Sequence, residues 1–138
     1  MSSPTAIALL GFIGWTLFLL VLMESVRSKM VLFKEIAANG FDPVNSSLSP
    51  FMQRLARAHA NCIEGLPVYG GLMLVALITS NAAITDKLAY IFLSARVIQS
   101  LIHLTSLSSP AVTLRFAAFA VQMVIGIYWC YELLTTIL

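Results

Sequence analysis

The sequence predicts an all-α integral membrane protein, folded as an antiparallel bundle of four transmembrane helices. Composition is the first reason. Of 138 residues, 59% are hydrophobic and 10% are charged, against about 45–50% apolar in a soluble domain. A soluble fold of this length cannot bury so much apolar surface, so lipid must be the solvent for much of the chain. The second reason is pattern. Four apolar runs are each long enough to cross a hydrocarbon core of about 30 Å. The third is connection length: one longer polar stretch and two short turns join them, which places neighbouring helices antiparallel.

The first span is residues 6–23, bounded by Pro4 and Glu24. No Lys or Arg precedes it and no small-residue cleavage site follows, so it reads as a retained helix rather than a signal peptide. Residues 24–53 form the longer connection, with turns at Asn39–Pro43 and loop from Asn45. A helix restarts at Ser49-Pro50, with Ser as N-cap and Pro in the first turn. The second span is 58–79, and Pro67 inside it removes one backbone hydrogen bond and implies a bend. Asn81–Lys87 reads as a short turn, and the third span is 88–107. The fourth is 111–137, opened by Pro110 after Ser108-Ser109. The whole chain, 1–138, reads as one domain.

Basic residues set the expected orientation. Arg27, Lys29, Lys34, Arg54 and Arg57 lie in or beside the first connection, whereas the second holds only Lys87. The first and third connections are therefore expected on the cytoplasmic side, with both termini opposite. A bacterial inner membrane and an organelle membrane such as the endoplasmic reticulum both suit such a protein. The net charge of +2 and the lack of any basic run exclude a nucleic-acid partner. No CxxC, HExxH, GxGxxG or GxSxG motif occurs. Cys62 and Cys130 make no metal motif and read as small apolar residues at opposite membrane levels.

Polar residues concentrate in Arg54–Pro67, RLARAHANCIEGLP. Arg54, Arg57, Asn61 and Glu64 are spaced at three, four and three, so they share one helix face. His59 faces away from that stripe. On the third span Arg96, Gln99 and His103 share a face in the same way. Arg115 stands one turn inside the fourth span, and Arg27 follows the first. Glu64 should lie about 10 Å into the second span at ~1.5 Å per residue. With alternating helix directions, all four helices deliver polar groups to one layer. Charges at that depth cost several kcal/mol unless they are paired or hydrated. Two plainer readings compete: interfacial arginines that snorkel to headgroups, and a Glu64–Arg96 pair that sets helix register. A cationic lip with one carboxylate and two amides suits a small zwitterion carrying excess negative charge. An arginine beside a bound thiol would favour its thiolate.

These residues resemble a known pattern. RLARAHANCIEGLP is similar to the second-helix signature of the MAPEG family, membrane-associated proteins of eicosanoid and glutathione metabolism. Arg57, Ala58, His59, Asn61, Glu64 and Pro67 all match. Arg27 after the first span, Arg96-Val97 in the third and Leu114-Arg115 in the fourth fit as well. Gln99 and His103 stand where the family's prostaglandin synthases have histidine and tyrosine, and Phe116 stands where they have serine.

The resemblance implies a homotrimer of four-helix protomers with glutathione, a co-substrate, held between subunits near the cytoplasmic face. It implies no metal. Arg115 would stabilise the thiolate as the catalytic residue. Arg27, Arg57, Asn61 and Glu64 would hold the peptide, Gln99 and His103 would shape the sulfur end, and Arg96 would support Glu64. The expected activity is glutathione transfer to a lipophilic electrophile, or reduction of a lipid hydroperoxide. The alternative is a non-catalytic lipid-binding or partner-presenting member of the same fold. A transporter has no broken-helix pair or repeated half to support it.

Overall fold

A computed structural model describes residues 3–138. Four long helices carry the chain: α1 (Pro4–Leu32), α2 (Pro50–Ile78), α3 (Ala82–Thr105) and α4 (Ser109–Ile137), each long and apolar enough to cross a membrane. Three starts are capped by serine. Ser3, Ser49 and Ser108 accept from the backbone N–H groups of Ala6, Met52 and Ala111, and each is followed by a proline in the first turn. Proline costs little there because the N–H it lacks has no helical acceptor.

Two boundaries differ from the hydropathy pattern. The helix that begins with the first apolar run does not stop at Glu24 but continues to Leu32. Hydropathy reports where lipid ends, and a helix that has left lipid keeps its own hydrogen bonds. The Asn81–Lys87 stretch, expected as a turn, is helical from Ala82. Thr85 and Asp86 there pin the start of α1: the Thr5 hydroxyl lies 2.6 Å from that of Thr85, and the Thr5 N–H donates to Asp86 Oδ1 at 3.0 Å. At Pro67 the helix does not break. It widens into a π turn over Leu66–Gly70 and then resumes, a local adjustment that keeps the helix continuous past the missing bond.

α3 is the central helix. It packs against α1, α2 and α4. Phe92 marks the centre. Its ring lies 5.7 Å from Phe12 of α1, 4.9 Å from Tyr69 of α2 and 5.5 Å from Trp129 of α4, all tilted. All four rings are buried, and tilted pairs are worth about 0.5–1.5 kcal/mol each beyond area burial. A methyl group at Gly126 would lie 2.6 Å from the Tyr69 ring, so glycine is what lets α4 approach.

The first connection is tied to the bundle by Arg27. Its Nε donates to Asn45 Oδ1 at 3.0 Å, one Nη to the Asp42 carbonyl at 3.1 Å and the other to Glu24 at 3.0 Å. Its guanidinium also lies over the Phe41 ring. Asn45 is fully buried, and its amide donates to the Met52 carbonyl at 2.7 Å. Asn45 has φ 54°, a left-handed conformation that asparagine tolerates better than most residues. One side chain thus joins the end of α1 to the start of α2. Asn45→Ala should lower stability by about 1–3 kcal/mol, measured by thermal unfolding in detergent, because it orphans donors and acceptors on both sides.

Asp42 organises the turn before Asn45. It accepts from the Ser46 hydroxyl and from the backbone N–H groups of Ser46 and Val44. The Ser46 hydroxyl is the main cause that holds the Asp42 carboxyl below its ordinary value of 3.8. A lowered carboxyl pKa stabilises the turn above the ordinary value, and that contribution is lost as pH falls through the lowered one. Ser46→Ala should move the Asp42 pKa up toward 3.8, read by NMR titration of the labelled carboxylate.

Candidate functional site

Two cavities sit side by side where α2, α3 and α4 meet. One, of about 270 Å³, is lined by Asn61, Gln99, His103, Val112, Arg115, Phe116 and Phe119. The other, of about 220 Å³, is lined by Asn61, Glu64, Gly65, Val68, Tyr69, Arg96 and Phe119. Asn61 and Phe119 border both. Each is small for a ligand site, but together they reach the ordinary range of about 300–1,000 Å³.

Helical spacing builds this lining. Asn61 and Glu64 are one turn apart on α2, as are Arg96, Gln99 and His103 on α3. Arg115 comes from the second turn of α4. Four side-chain atoms at this junction are buried without a hydrogen-bond partner: Arg96 Nε, His103 Nδ1, Arg115 Nη1 and Gln122 Oε1. Arg115 lines the first cavity and Arg96 the second. The lining is therefore cationic, with Glu64 as its one carboxylate.

Arg96 is 1% exposed. One Nη donates to the Asn61 side chain and, at 3.4 Å, to the Asn61 carbonyl. Its guanidinium lies over Phe12 at 5.2 Å. The Arg96–Glu64 pair expected from the sequence does not form. Among the described residues the one ion pair is Arg27–Glu24. Asn61 reaches the guanidinium first, and the Glu64 side chain is exposed. Gly65 makes room, since a Cβ there would lie 2.7 Å from an Arg96 Nη.

The remaining arginines divide differently from the sequence pattern. Arg27 and Arg57 line neither cavity. Arg27 is engaged with the first connection, and Arg57 is exposed with no hydrogen bond among the described residues. Arg54 donates to the Leu104 carbonyl at 2.9 Å, which satisfies an open carbonyl at the end of α3 and opposes its dipole. A separate groove of about 630 Å³ between α1 and α2 brings Arg27, Glu24, His59 and Glu64 together. His59, which points away from the Asn61 stripe, is thus part of a polar groove of its own. Glu64 borders both sides.

Sequence reasoning missed Gln122 and Tyr69. Gln122 was detectable. It is an amide within an apolar span, seven residues after Arg115 and so on the same face. Tyr69 carries no such signal, because its role depends on what α3 and α4 place against it, whereas Gly65, beside the polar stripe, reads as a point of close backbone approach. Cys62 and Cys130 are both free. Cys62 is buried with Sγ 3.5 Å from Ser100 Oγ, and Cys130 is exposed. No group of three His, Cys, Asp or Glu side chains among the described residues is placed to hold a metal ion.

Four apolar helices that close around a polar junction define a multi-pass integral membrane protein. The model of the MAPEG family matches residues 5–135, and the chain belongs to that family, one of membrane glutathione-related enzymes. Comparison with curated proteins and with solved structures gives no match.

The Gly65–Arg96 contact is directly testable. The guanidinium is held by Asn61 on one side and Phe12 on the other, so it cannot swing away freely. Gly65→Ala should cost about 1–3 kcal/mol, read as a lower unfolding temperature in detergent.

Proposed function

We propose that this protein is a glutathione-dependent membrane transferase or peroxidase that works as a homotrimer. The observation that carries this reading is the convergence of Asn61, Gln99, His103 and Arg115, from three helices, on one cavity. His103 Nδ1 and one Arg115 guanidinium nitrogen are left there without protein partners. A buried polar atom with no partner costs about 1–3 kcal/mol, which an anionic ligand would offset.

The residues present fit glutathione. Its carboxylates meet the arginine and amide donors, and its ammonium meets Glu64, the one carboxylate of the pair of cavities. When bound, glutathione supplies the thiol that, once deprotonated, attacks a lipophilic electrophile or reduces a hydroperoxide. Arg115 favours the charged sulfur by its own charge. Asn61 and Glu64 hold the peptide, and Gln99 and His103 border the sulfur. Arg96 acts by holding Asn61 rather than Glu64. An apolar co-substrate enters from the bilayer past Val112, Phe116 and Phe119.

Arg27 and Arg57 join the reading only through assembly. The groove with Arg27 and His59 lies on the α1 side of α2, away from the cavities. In a ring of three copies it closes the cavity of the next copy and brings further positive charge to it.

Calorimetry with glutathione on wild type, Glu64→Ala and Arg115→Ala in detergent tests this reading. Wild type should bind saturably, and each substitution should weaken binding about tenfold or more, the effect of losing one charge-assisted hydrogen bond. Thiol consumption with a generic electrophile should fall about a hundredfold in Arg115→Ala. No binding by wild type at millimolar glutathione sinks the proposal. Binding without thiol consumption favours a non-catalytic member that presents lipid.

A further inference from the structure

Gln122 lies in the apolar core of α4, is fully buried and lines neither cavity. A primary amide at membrane depth is costly unless it is bonded. Its Nε2 lies 3.0 Å from the Ala118 carbonyl and 2.8 Å from Gln99 Oε1. These two contacts settle the orientation of both amides. A backbone carbonyl only accepts, so the Gln122 atom facing Ala118 must be the NH₂ group. That NH₂ group then needs an acceptor on Gln99, which must turn its oxygen toward α4. The Gln99 NH₂ group is left for the cavity that Gln99 lines. The opposite arrangement would place two carbonyl oxygens against each other at Ala118.

We propose that Gln122 is a positioning residue that fixes the Gln99 amide so that its N–H donors face the ligand's anionic sulfur. This rests on the glutathione reading for the identity of the ligand. The arrangement matters because a glutamine can offer either end of its amide. With the carbonyl inward it would repel a thiolate; with the NH₂ group inward it donates to one. Gln122 never touches the ligand. It decides which end is shown, one helical turn from His103 on the same face of α3.

A double-mutant cycle in detergent tests this. The apparent pKa of the bound glutathione thiol is read from ultraviolet thiolate absorption against pH. It is measured for wild type, Gln99→Met, Gln122→Met and the double variant. Gln99→Met should lower the thiolate fraction at fixed pH about tenfold, the loss of one hydrogen bond to a charged group. Gln122→Met should move it the same way, because a released Gln99 can turn its NH₂ group back toward Ala118. The double variant should match Gln99→Met, since Gln122 acts only through Gln99.

A merely structural Gln122 would shift the thiol further in the Gln99→Met background, and that result overturns the proposal. An unchanged thiol pKa in Gln122→Met overturns it too. If Gln122→Met does not fold, Gln122→Asn keeps an amide in the core but withdraws it by one methylene from Gln99. It should give the same loss of thiolate, and a wild-type value there overturns the assignment. A wild type that binds no glutathione overturns the glutathione reading and this proposal together. Normal glutathione binding with an unmoved thiol overturns the Gln122 assignment alone.

Discussion

Arg96 carries a positive charge into the interior of a protein that lies in lipid, and it does so without a carboxylate. A charge at the middle of a membrane helix costs about 2.5–3.5 kcal/mol on insertion scales. Here three helices share the compensation. α1 supplies the Phe12 face, and a desolvated cation–π contact is worth about 2 kcal/mol. α2 supplies the Asn61 side chain and carbonyl, and Gly65 leaves the space. α3 supplies the arginine itself. Asn61 is thereby held in place, and Asn61, with Phe119, borders both cavities. The site depends on a charge that does not itself need to touch a ligand.

The other arginines show how one residue type takes different tasks in different surroundings. Arg27 ties the first connection to α1, and Arg54 closes the end of α3. Arg27 uses the planar fork of guanidinium donors to satisfy several acceptors, which a lysine ammonium does less well. Arg115 alone faces the first cavity with an unpartnered nitrogen. The distinction is between cations that the fold has already engaged, Arg27 and Arg54, and one that keeps an unpartnered nitrogen at the first cavity.

Much of the bundle was legible because lipid imposes simple rules. Backbone groups must be bonded within the segment, so an apolar run of sufficient length is a helix. Ser49-Pro50 and Ser108-Ser109-Pro110 marked two helix starts. Part of the polar pattern was legible too, since three-and-four spacing placed Asn61 with Glu64, and Arg96 with Gln99 and His103, on shared helix faces. The end of α1 was not, because charges after Glu24 mark departure from lipid and not the end of hydrogen bonding. The Arg96 partner was not, because Asn61 and Glu64 lie on one face and a turn apart. Only the level of α3 against α2 decides between them.

The sequence by itself determined the solvent, the number of spans and the faces on which polar groups lie. Each follows from local chemistry: transfer free energy sets the spans, and the 3.6-residue period sets the faces. The tertiary structure decided which polar groups meet. Asn61 takes Arg96, Asn45 takes Arg27, and Gln122 takes Gln99. These pairings depend on shifts of a few ångströms between helices. Apolar packing sets those shifts, through contacts such as Phe92 with its three aromatic neighbours and Gly126 against Tyr69. No local pattern encodes them, because a hydrogen bond across helices needs two chain segments placed to within a fraction of a turn.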